Sequence, residues 1–461
     1  MGRTLEADYL VVGAGAAGMA FCDALLDNND EVRVVLVDRR SAPGGHWVDA
    51  YPFVRLHQAS SFYGVASIPL GGGKLQDSGP ETGMHERATG DEVRAYYQHV
   101  LERWASTGRL EFFPSCSYSG EGRFISLESG DEYDVTPGRV VDATYLSPDI
   151  PATTPPPFEV GDGARVIPVN ALPDAGAGDG PYVVTGSGKT ATDACIWLLQ
   201  NGVDPDDICW VRPRDPWMLN RAVIQPDPAV FIAMAADVMQ AAAAAEDLDD
   251  LFLRMEDAGI VLRIDRSVRP TMAKTPTLAR WELDHLRSLE QVVRLGHVRR
   301  AESGRLLLDD GEVAVTPNAV VVHCAAAGLQ YPPLVPIWQP DAIRPQPVRV
   351  GFPCFGAALI GYVEATRDDD AEKNRICPPS PLSDTLAGWA RMQVLGARAA
   401  ASFSAQPDIK AWANEVLLNP TRIPAAQADR PELQAAVERL RAHSPTGLAK
   451  MAELSASWDR P

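Results

Sequence analysis

Two glycine-rich turns in this chain of 461 residues have the residue types and spacing that bind phosphate groups. The first turn follows an apolar run ending at Val12 and reads Gly-Ala-Gly-Ala-Ala-Gly. Its glycines permit a tight turn and let backbone N–H groups approach a pyrophosphate at a helix N-terminus. Asp38 ends the next apolar run, where a carboxylate accepts hydrogen bonds from a ribose. These features predict a dinucleotide site, with contacts from Gly13, Gly15, Ala16, Ala17, Gly18, Asp38 and Arg39.

The second turn reads Gly-Ser-Gly-Lys-Thr-Ala and follows another apolar run, Tyr182 to Thr185. The next apolar run ends in Arg212-Pro213-Arg214 rather than in a carboxylate. Guanidinium groups suit a 2′-phosphate, so this second site favours NADPH over NADH. A P-loop is excluded because it needs glycine where this chain has Val183. The predicted contacts are Gly186, Ser187, Gly188, Lys189, Thr190, Arg212 and Arg214. For Lys189 a solvated position on the helix is the alternative to a phosphate contact.

Each turn requires a buried parallel strand before it and a helix after it, and the sequence contains both in each case. A helix with the spacing of a capping box begins at Thr89, and a proline-rich connection over 148–157 marks a boundary between domains. Leu433, Val437 and Leu440 share one face of a helix near the C-terminus. Further strands are expected at 110–113, 124–127, 139–144, 305–308 and 319–324.

We therefore predict an α/β fold with two Rossmann-like dinucleotide-binding domains, a helical insertion and a helical C-terminus. Residues 1–175 and 318–405 are expected to form the first domain. The second domain is expected over 176–317, with the helical insertion at about 228–300. A helical C-terminal segment is expected over 406–461.

The charge, the apolar stretches and the cysteines argue against several classes of protein. The formal net charge of −19 argues against nucleic acid and anionic membrane as partners. No apolar stretch approaches the roughly 20 residues of a membrane span, and the first strand begins by Asp8, which leaves no room for a signal peptide. The seven cysteines are scattered without a close pair, which argues against a disulfide reductase and fits reduced thiols. We expect a cytoplasmic protein and predict no oligomeric state.

Two further segments, Gly44-Gly45-His46-Trp47 and Tyr51 to His57, complete a pattern that resembles the class B flavoprotein monooxygenases. This group comprises the flavin-containing monooxygenases, the N-hydroxylases and the Baeyer–Villiger monooxygenases. The resemblance implies FAD at the first turn and NADPH at the second. It also implies oxygenation of a small-molecule substrate by O2 through a C4a-(hydro)peroxyflavin. Gly45, His46 and Trp47 would lie against the flavin, where backbone without a Cβ approaches the ring closely.

The segment from Tyr51 to His57 is similar to the Y-P-G-x-R-x-D stretch of Baeyer–Villiger enzymes, with phenylalanine in place of the glycine and histidine in place of the aspartate. The resemblance implies that His57 and Gln58 face the reactive edge of the flavin, and it makes His57, Arg55 and Gln58 the catalytic candidates. A histidine there can donate or exchange a proton. Structural roles, a loop hydrogen bond for His57 and an ion pair for Arg55, are the alternatives.

The linker signature F-x-G-x-x-x-H-x-x-x-W of Baeyer–Villiger enzymes is missing, and Ala143-Thr144-Tyr145 replaces the A-T-G of the other subgroups. We therefore predict oxygenation of an amine nitrogen or a sulfide. Baeyer–Villiger oxygenation of a ketone, with Arg55 or Arg221 holding the peroxide, is the alternative. An alternative of another class is an NAD(P)H-dependent flavin reductase or diaphorase that passes electrons to a quinone or a protein, and a non-catalytic flavin-binding protein is a third. Trp217 and Trp281 line a pocket or belong to the core.

Overall fold

The computed structural model describes residues 3–176, 180–328 and 330–458. Its strands are β1 (Arg3–Val12), β2 (Val34–Val37), β3 (Leu110–Phe113), β4 (Cys116–Gly120), β5 (Arg123–Ser126), β6 (Glu132–Asp142), β7 (Glu159–Val160), β8 (Arg165–Pro168), β9 (Tyr182–Thr185), β10 (Ile208–Val211), β11 (Trp217–Asn220), β12 (Val261–Arg263), β13 (Thr277–Leu278), β14 (Val292–Val293), β15 (Val298–Glu302), β16 (Arg305–Leu308), β17 (Gly311–Ala314) and β18 (Val320–His323). Its helices are α1 (Ala16–Asn28), α2 (Gly90–Ala105), α3 (Leu172–Ala175), α4 (Lys189–Gln200), α5 (Pro228–Ala244), α6 (Leu248–Asp257), α7 (Arg280–Arg287), α8 (Pro353–Thr366), α9 (Asp370–Ile376), α10 (Leu386–Ser404), α11 (Pro407–Glu415) and α12 (Pro431–Leu454).

The first sheet has the strand order β3-β2-β1-β6-β5-β4. Strands β1, β2, β3 and β6 are parallel, and β4 and β5 extend the sheet as an antiparallel meander. Helix α1 connects β1 to β2, and α8, from much later in the chain, packs along α1. Gly361 on α8 makes this contact close, because an ideal Cβ on it would lie 2.4 Å from the carbonyl oxygen of Phe21. The first predicted Rossmann unit is therefore completed by a helix from the second half of the chain.

The second sheet is entirely parallel, with the strand order β14-β10-β9-β18-β8. Helix α4 connects β9 to β10 and carries the second glycine turn at its N-terminus. The residues of β9 and β18 are buried, as expected for central strands covered on both faces. The domain boundaries stay a prediction. Strand pairing groups β8 and β18 with the second sheet, although the predicted boundaries assign both to the first domain.

Two crossings join the two sheets and run side by side. Asp149, beyond β6, and Gly328, beyond β18, exchange backbone hydrogen bonds of 3.0 and 3.1 Å. Tyr145 braces the same region, since its hydroxyl donates to the carbonyl of Pro333 at 2.6 Å. The side chain that replaces the glycine of the A-T-G pattern thus ties the outgoing crossing to the returning one.

Helices α5, α6 and α7 make up most of the predicted helical insertion, but strands β12, β13 and β14 interrupt it. Strand β12 pairs with β11 over Val261 to Arg263, so long-range pairing decides its conformation rather than local propensity. The C-terminal helix α12 packs along α5, with Leu433 buried in that contact as expected. No helix of the part of the chain that the structure describes is long and apolar enough to cross a membrane.

Candidate functional site

The first glycine turn leaves the N-terminus of α1 open to an anion. Gly15 caps this helix without a side chain that accepts from its first N–H groups. Such groups carry the positive end of the helix dipole. Gly18 has no substitute, because an ideal Cβ on it would lie 1.9 Å from the carbonyl oxygen of Gly13. Asp38 accepts hydrogen bonds from the backbone N–H groups of Ala14 and Arg40 at 2.7 and 2.8 Å. Its oxygens have lone pairs left for a ribose hydroxyl.

The segment Gly44 to Trp47 lies across this turn. The N–H of Gly44 donates to the carbonyl of Ala14 at 2.8 Å, and an ideal Cβ on Gly45 would lie 2.8 Å from the Cα of Gly15. Two glycine backbones thus meet beside the open helix N-terminus, an arrangement that fits the diphosphate and the ring system of a dinucleotide. Ala16 and Ala17 are half-buried in the first turn of α1, and Arg39 is exposed.

His46 and Trp47 follow Gly45 in the segment that lies across the first glycine turn. The indole N–H of Trp47 donates to the hydroxyl of Tyr63 at 2.5 Å, which fixes the indole plane. Burial, reinforced by the charge of Arg40, lowers the pKa of His46 to about 4. The imidazole of His46 is therefore neutral at physiological pH and adds no charge to the site.

The second glycine turn has the same construction at the N-terminus of α4. Gly188 caps α4 without a side-chain bond, and Ser187 accepts the backbone N–H of Arg214 at 3.4 Å. Lys189 occupies the first helical position, where its ammonium pairs with the carboxylate of Asp193 one turn on. Its side chain is buried, so the alternative of a solvated helix residue is wrong. Thr190 is half-buried in the same turn.

Both arginines after β10 are held by carboxylates. Arg212 is 1% exposed, pairs with Asp215 at 2.8 Å and stacks over the indole of Trp210 at 4.7 Å. Two of its nitrogens, Nε and Nη1, have no hydrogen-bond partner within the described residues. Arg214 pairs with Asp384 at 2.8 Å. A cavity of about 560 Å³ opens beside Arg212; the other basic residues that line it are Arg266, Arg287 and Arg294.

Tyr51 and Phe53 attach the predicted catalytic segment to α4. The hydroxyl of Tyr51 donates to Asp193 at 2.7 Å, on the carboxylate that also binds Lys189. Burial raises the pKa of Asp193, but Lys189 and the Tyr51 hydroxyl outweigh this effect and hold it below its usual range. The ring of Phe53 stacks on Trp197 at 5.3 Å. The segment therefore contacts the helix of the second glycine turn.

His57 is anchored through its backbone, while its ring is left free of any hydrogen bond to a described residue. Its carbonyl accepts from the Nε of Arg221 at 3.0 Å and from the hydroxyl of Thr277. Burial, with a further contribution from Lys189, lowers the pKa of the imidazole to about 3. The ring is therefore a neutral imidazole with one N–H donor and one acceptor.

The other two catalytic candidates differ in their surroundings. Gln58 is half-buried, and its amide donates to the carbonyl of Gly351 at 3.5 Å, just before α8. Arg55 is exposed and donates to the carbonyl of Arg87 at 3.3 Å. Two of the three candidates, His57 and Gln58, are thus half-buried, and Arg55 lies on the surface.

A buried ion-pair network behind His57 escaped sequence analysis. Arg221, 1% exposed, pairs with Glu81 and with Glu282, the latter at 2.7 Å. Glu81 also accepts from Arg87 at 2.7 Å and from the indole of Trp281 at 3.2 Å. These residues come from distant parts of the chain, and no spacing in the sequence links them. Trp281 therefore belongs to the network.

Trp217 belongs to the core instead. It is 1% exposed and packs on Phe252, with ring centroids 5.5 Å apart. The interpretation of Trp217 as a core residue is correct.

Known proteins include sequences that are similar to this chain. A sequence profile of the NAD(P)-binding Rossmann-like domain matches residues 11–52, which include the first glycine turn. The uncharacterized protein Rv2000 of Mycobacterium tuberculosis is 43% identical over 422 residues, covering 90% of this chain and 78% of that protein. The uncharacterized protein Mb2023 of Mycobacterium bovis matches with the same identity and coverage.

Among solved structures, the polycyclic ketone monooxygenase of the thermophilic fungus Thermothelomyces thermophila is similar to this chain with a TM-score of 0.54. The alignment has 12% sequence identity and covers 97% of this chain and 90% of that protein. The predicted α/β fold with two Rossmann-like domains is confirmed. The resemblance to class B flavoprotein monooxygenases is confirmed at the level of the fold.

Proposed function

We propose that this chain, which belongs to the same family as the two mycobacterial proteins, is an FAD- and NADPH-dependent monooxygenase of a small organic molecule. One observation carries the proposal. The stretch from Gly44 to Tyr51 contacts the first glycine turn through Gly44 and the helix of the second through Tyr51, and each turn lies at an uncapped helix N-terminus suited to a diphosphate.

The residues of the first turn would hold FAD. The N-terminus of α1 would receive the diphosphate, Asp38 would accept from the ribose, and Gly45 would let the backbone approach closely. FAD supplies acceptance of hydride and activation of O2. The residues themselves bind and orient: the neutral imidazole of His46 and the fixed indole of Trp47 enclose the site without adding charge.

The second turn would hold NADPH. The N-terminus of α4 offers free N–H groups, and Arg212 has two nitrogens without partners beside a cavity with three further arginines. Asp265 and Glu290 also line this cavity, and Arg294 is paired with Asp215 and Asp265. A 2′-phosphate would complement the remaining guanidinium groups, whereas NADH has no group for them. Ion pairing of Arg212 with Asp215 pre-orients the guanidinium.

His57 would act as a neutral hydrogen-bonding group at the reacting centre. With a pKa near 3, it does not supply an imidazolium at neutral pH. Its N–H can hold a developing oxyanion, and its unprotonated nitrogen can accept a hydrogen bond from a substrate N–H group. The anchored backbone carbonyl limits the positions of the ring, since Arg221 and Thr277 both donate to it.

Charge balance favours an amine nitrogen or a sulfide over a ketone as the oxygenated group. Baeyer–Villiger oxygenation needs a cation to hold the deprotonated peroxide. Of the two arginines considered for this role, Arg55 is exposed and Arg221 is paired with two carboxylates. Transfer of an electrophilic oxygen to a soft nucleophile has no such requirement.

Rapid mixing of the NADPH-reduced protein with O2 tests the proposal. We expect a transient absorbance that differs from both reduced and oxidised flavin and lasts for seconds. With a sulfide or amine substrate we expect one oxygenated product per NADPH. An immediate return to the oxidised spectrum, with H2O2 and no product, would favour the flavin reductase or diaphorase.

A further inference from the structure

The carboxylate of Asp193 is shared between α4 and a segment that comes from the first glycine turn. Its Oδ1 pairs with the ammonium of Lys189 at the first position of α4. Its Oδ2 accepts from the hydroxyl of Tyr51 at 2.7 Å. Tyr51 follows Gly44 in the sequence, and the backbone of Gly44 contacts the first glycine turn. Two polar contacts in series therefore connect Lys189 to Tyr51.

All three side chains in this series are enclosed by protein. The side chains of Lys189 and Asp193 are 8% and 11% exposed, and Tyr51 is buried. A carboxylate in such surroundings depends on its partners, because water contributes little to its stabilisation. Lys189 and Tyr51 are the hydrogen-bond partners of this carboxylate within the described residues. When one partner withdraws, the carboxylate depends more strongly on the other.

Lys189 also belongs to the part of α4 that would receive a phosphate. It is the first residue of a helix whose N-terminus has no side-chain cap. Phosphate oxygens at this end would attract the ammonium, which has three donors and gives one of them to Asp193. The ammonium would then divide its charge between the phosphate and Asp193. Its stabilisation of Asp193 would weaken, and the bond from the Tyr51 hydroxyl would strengthen.

The turn that follows Tyr51 has contacts that depend on the position of this side chain. The ring of Tyr51 packs on Phe53 with centroids 4.8 Å apart, and Phe53 stacks on Trp197 of α4. The backbone N–H of Val54 donates to the carbonyl of Tyr51 at 3.0 Å. A stronger bond at the Tyr51 hydroxyl therefore orders the turn that leads to His57.

We propose that Asp193 is a positioning residue that links NADPH binding at the second turn to the order of residues 51–58. This inference rests on the proposed function. Phosphate binding draws Lys189 away from Asp193, and the hydroxyl of Tyr51 then holds the carboxylate more firmly. Linkage between two sites is reciprocal, so the Tyr51 hydroxyl also favours NADPH binding. The segment that carries His57 is therefore best ordered when the second cofactor is bound.

The affinity of the FAD-loaded protein for NADP+, measured by isothermal titration calorimetry, tests this linkage. Tyr51→Phe removes only the hydroxyl and should raise the Kd for NADP+ at least about 5-fold, the lower end of the range for coupled sites. Asp193→Asn removes the group that competes for Lys189, so it should leave the Kd unchanged or lower it. An unchanged Kd in Tyr51→Phe, or a raised Kd in Asp193→Asn, would overturn the proposal.

Double variants identify the route of the linkage. In the Asp193→Asn background, Tyr51→Phe should no longer change the Kd for NADP+, because the carboxylate that relays its effect is gone. Lys189→Met should abolish the effect of Tyr51→Phe in the same way, and it provides a second cycle should Asp193→Asn fail to fold. Additive effects in either cycle would mean separate structural roles and would overturn the proposal.

Tyr9→Phe is the matched control. The hydroxyl of Tyr9 donates to Glu364 at 2.8 Å, and this carboxylate also pairs with a lysine, Lys373. The chemistry is the same, but the three residues lie on β1, α8 and α9 rather than on α4. Tyr9→Phe should lower Tm and leave the Kd for NADP+ within about two-fold of wild type. A change as large as that of Tyr51→Phe would mean that the Kd reports general destabilisation, which would overturn the proposal.

Hydrogen exchange followed by mass spectrometry gives a readout at the segment itself. We expect NADP+ to slow the exchange of backbone N–H groups over 51–58 in the wild type and not in Tyr51→Phe. Equal slowing in both proteins would overturn the proposal. Linkage without any oxygenated product would refute the proposed monooxygenase function while the inference stands. Oxygenated product without linkage would do the reverse.

Discussion

Replacing Glu81 by glutamine should destabilise the whole molecule, because Glu81 is the shared acceptor of the buried network behind His57. Glutamine has nearly the same shape and removes only the charge. Arg87 and Arg221 would then be neighbouring buried cations, with Glu282 as the remaining acidic partner. Breaking a buried pair in this way typically costs about 3–5 kcal/mol.

The pKa of Glu81 leads to a similar magnitude. Burial raises it, but Arg221 and Arg87 outweigh burial and lower it from 4.5 to about 2. A shift of this size corresponds to about 3 kcal/mol, since one pKa unit is about 1.4 kcal/mol. Unfolding entropies of about 2.1 cal/mol/K per residue give about 1 kcal/mol per degree for a chain of this length. We therefore expect Tm to fall by about 3–5 °C at pH 7.

The pH dependence carries a definite sign. The pKa of Glu81 is lower in the folded than in the unfolded protein, so its contribution is complete above about pH 4.5 and disappears as the pH falls through 2. The Tm difference between wild type and Glu81→Gln should hence be constant from pH 7 to 5 and shrink below that. Thermal unfolding by circular dichroism at several pH values measures it. Glu121→Gln, in an exposed pair with Arg123, is the control and should change Tm by less than about 1 °C. A pH-independent difference, or none at pH 7, would refute the reasoning.

Four further outcomes are expected. Denaturation should release FAD rather than FMN, as chromatography of the supernatant will reveal, because the first turn is built for a dinucleotide. Arg212→Ala combined with Arg214→Ala should raise the KM for NADPH roughly 10- to 100-fold more than that for NADH in steady-state assays, and equal effects would mean that neither arginine contacts the 2′-phosphate. His57→Ala should leave the rate of flavin reduction by NADPH within a few-fold of wild type, while H2O2 release rises at the expense of product. The expected effect on oxygen transfer is about 10²- to 10⁴-fold. An unchanged yield of product per NADPH would favour a structural role. The pKa of His57 is lowered to about 3 on folding, so its contribution to stability is complete above about pH 6.5 and declines toward pH 3. His57→Gln should therefore flatten the dependence of Tm on pH in this range. An unaltered Tm profile would contradict the lowered pKa.

Features with a local signal were predictable from the sequence. Both glycine turns follow buried strands and cap helices as expected, and the Thr89 box forms with both of its hydrogen bonds. These elements depend on residues within a few positions of each other, so that periodicity and spacing identify them. The ion pair of Lys189 with Asp193 is a local feature too, because a spacing of four on a helix brings the two side chains together.

Features that depend on long-range contacts were not predictable. Strand β12 forms by pairing with β11, and the network of Glu81 and Arg221 joins positions 140 residues apart. Arg55 fits the pattern of its segment and still lies on the surface, since the pattern specifies the residue type and not its orientation.

The way the two sheets are threaded has a consequence for biosynthesis. The second sheet is built from one continuous stretch of chain, β8 to β18, whereas α1 is covered by α8, which is separated from it by more than 300 positions. During synthesis from the N-terminus the second sheet can close as soon as β18 has left the ribosome. At that moment α8 has not been synthesised, so the apolar residues of α1, including Phe21 and Leu25, are not yet covered by it. The first domain therefore keeps this apolar surface exposed until α8 has been synthesised, which is a condition that favours aggregation.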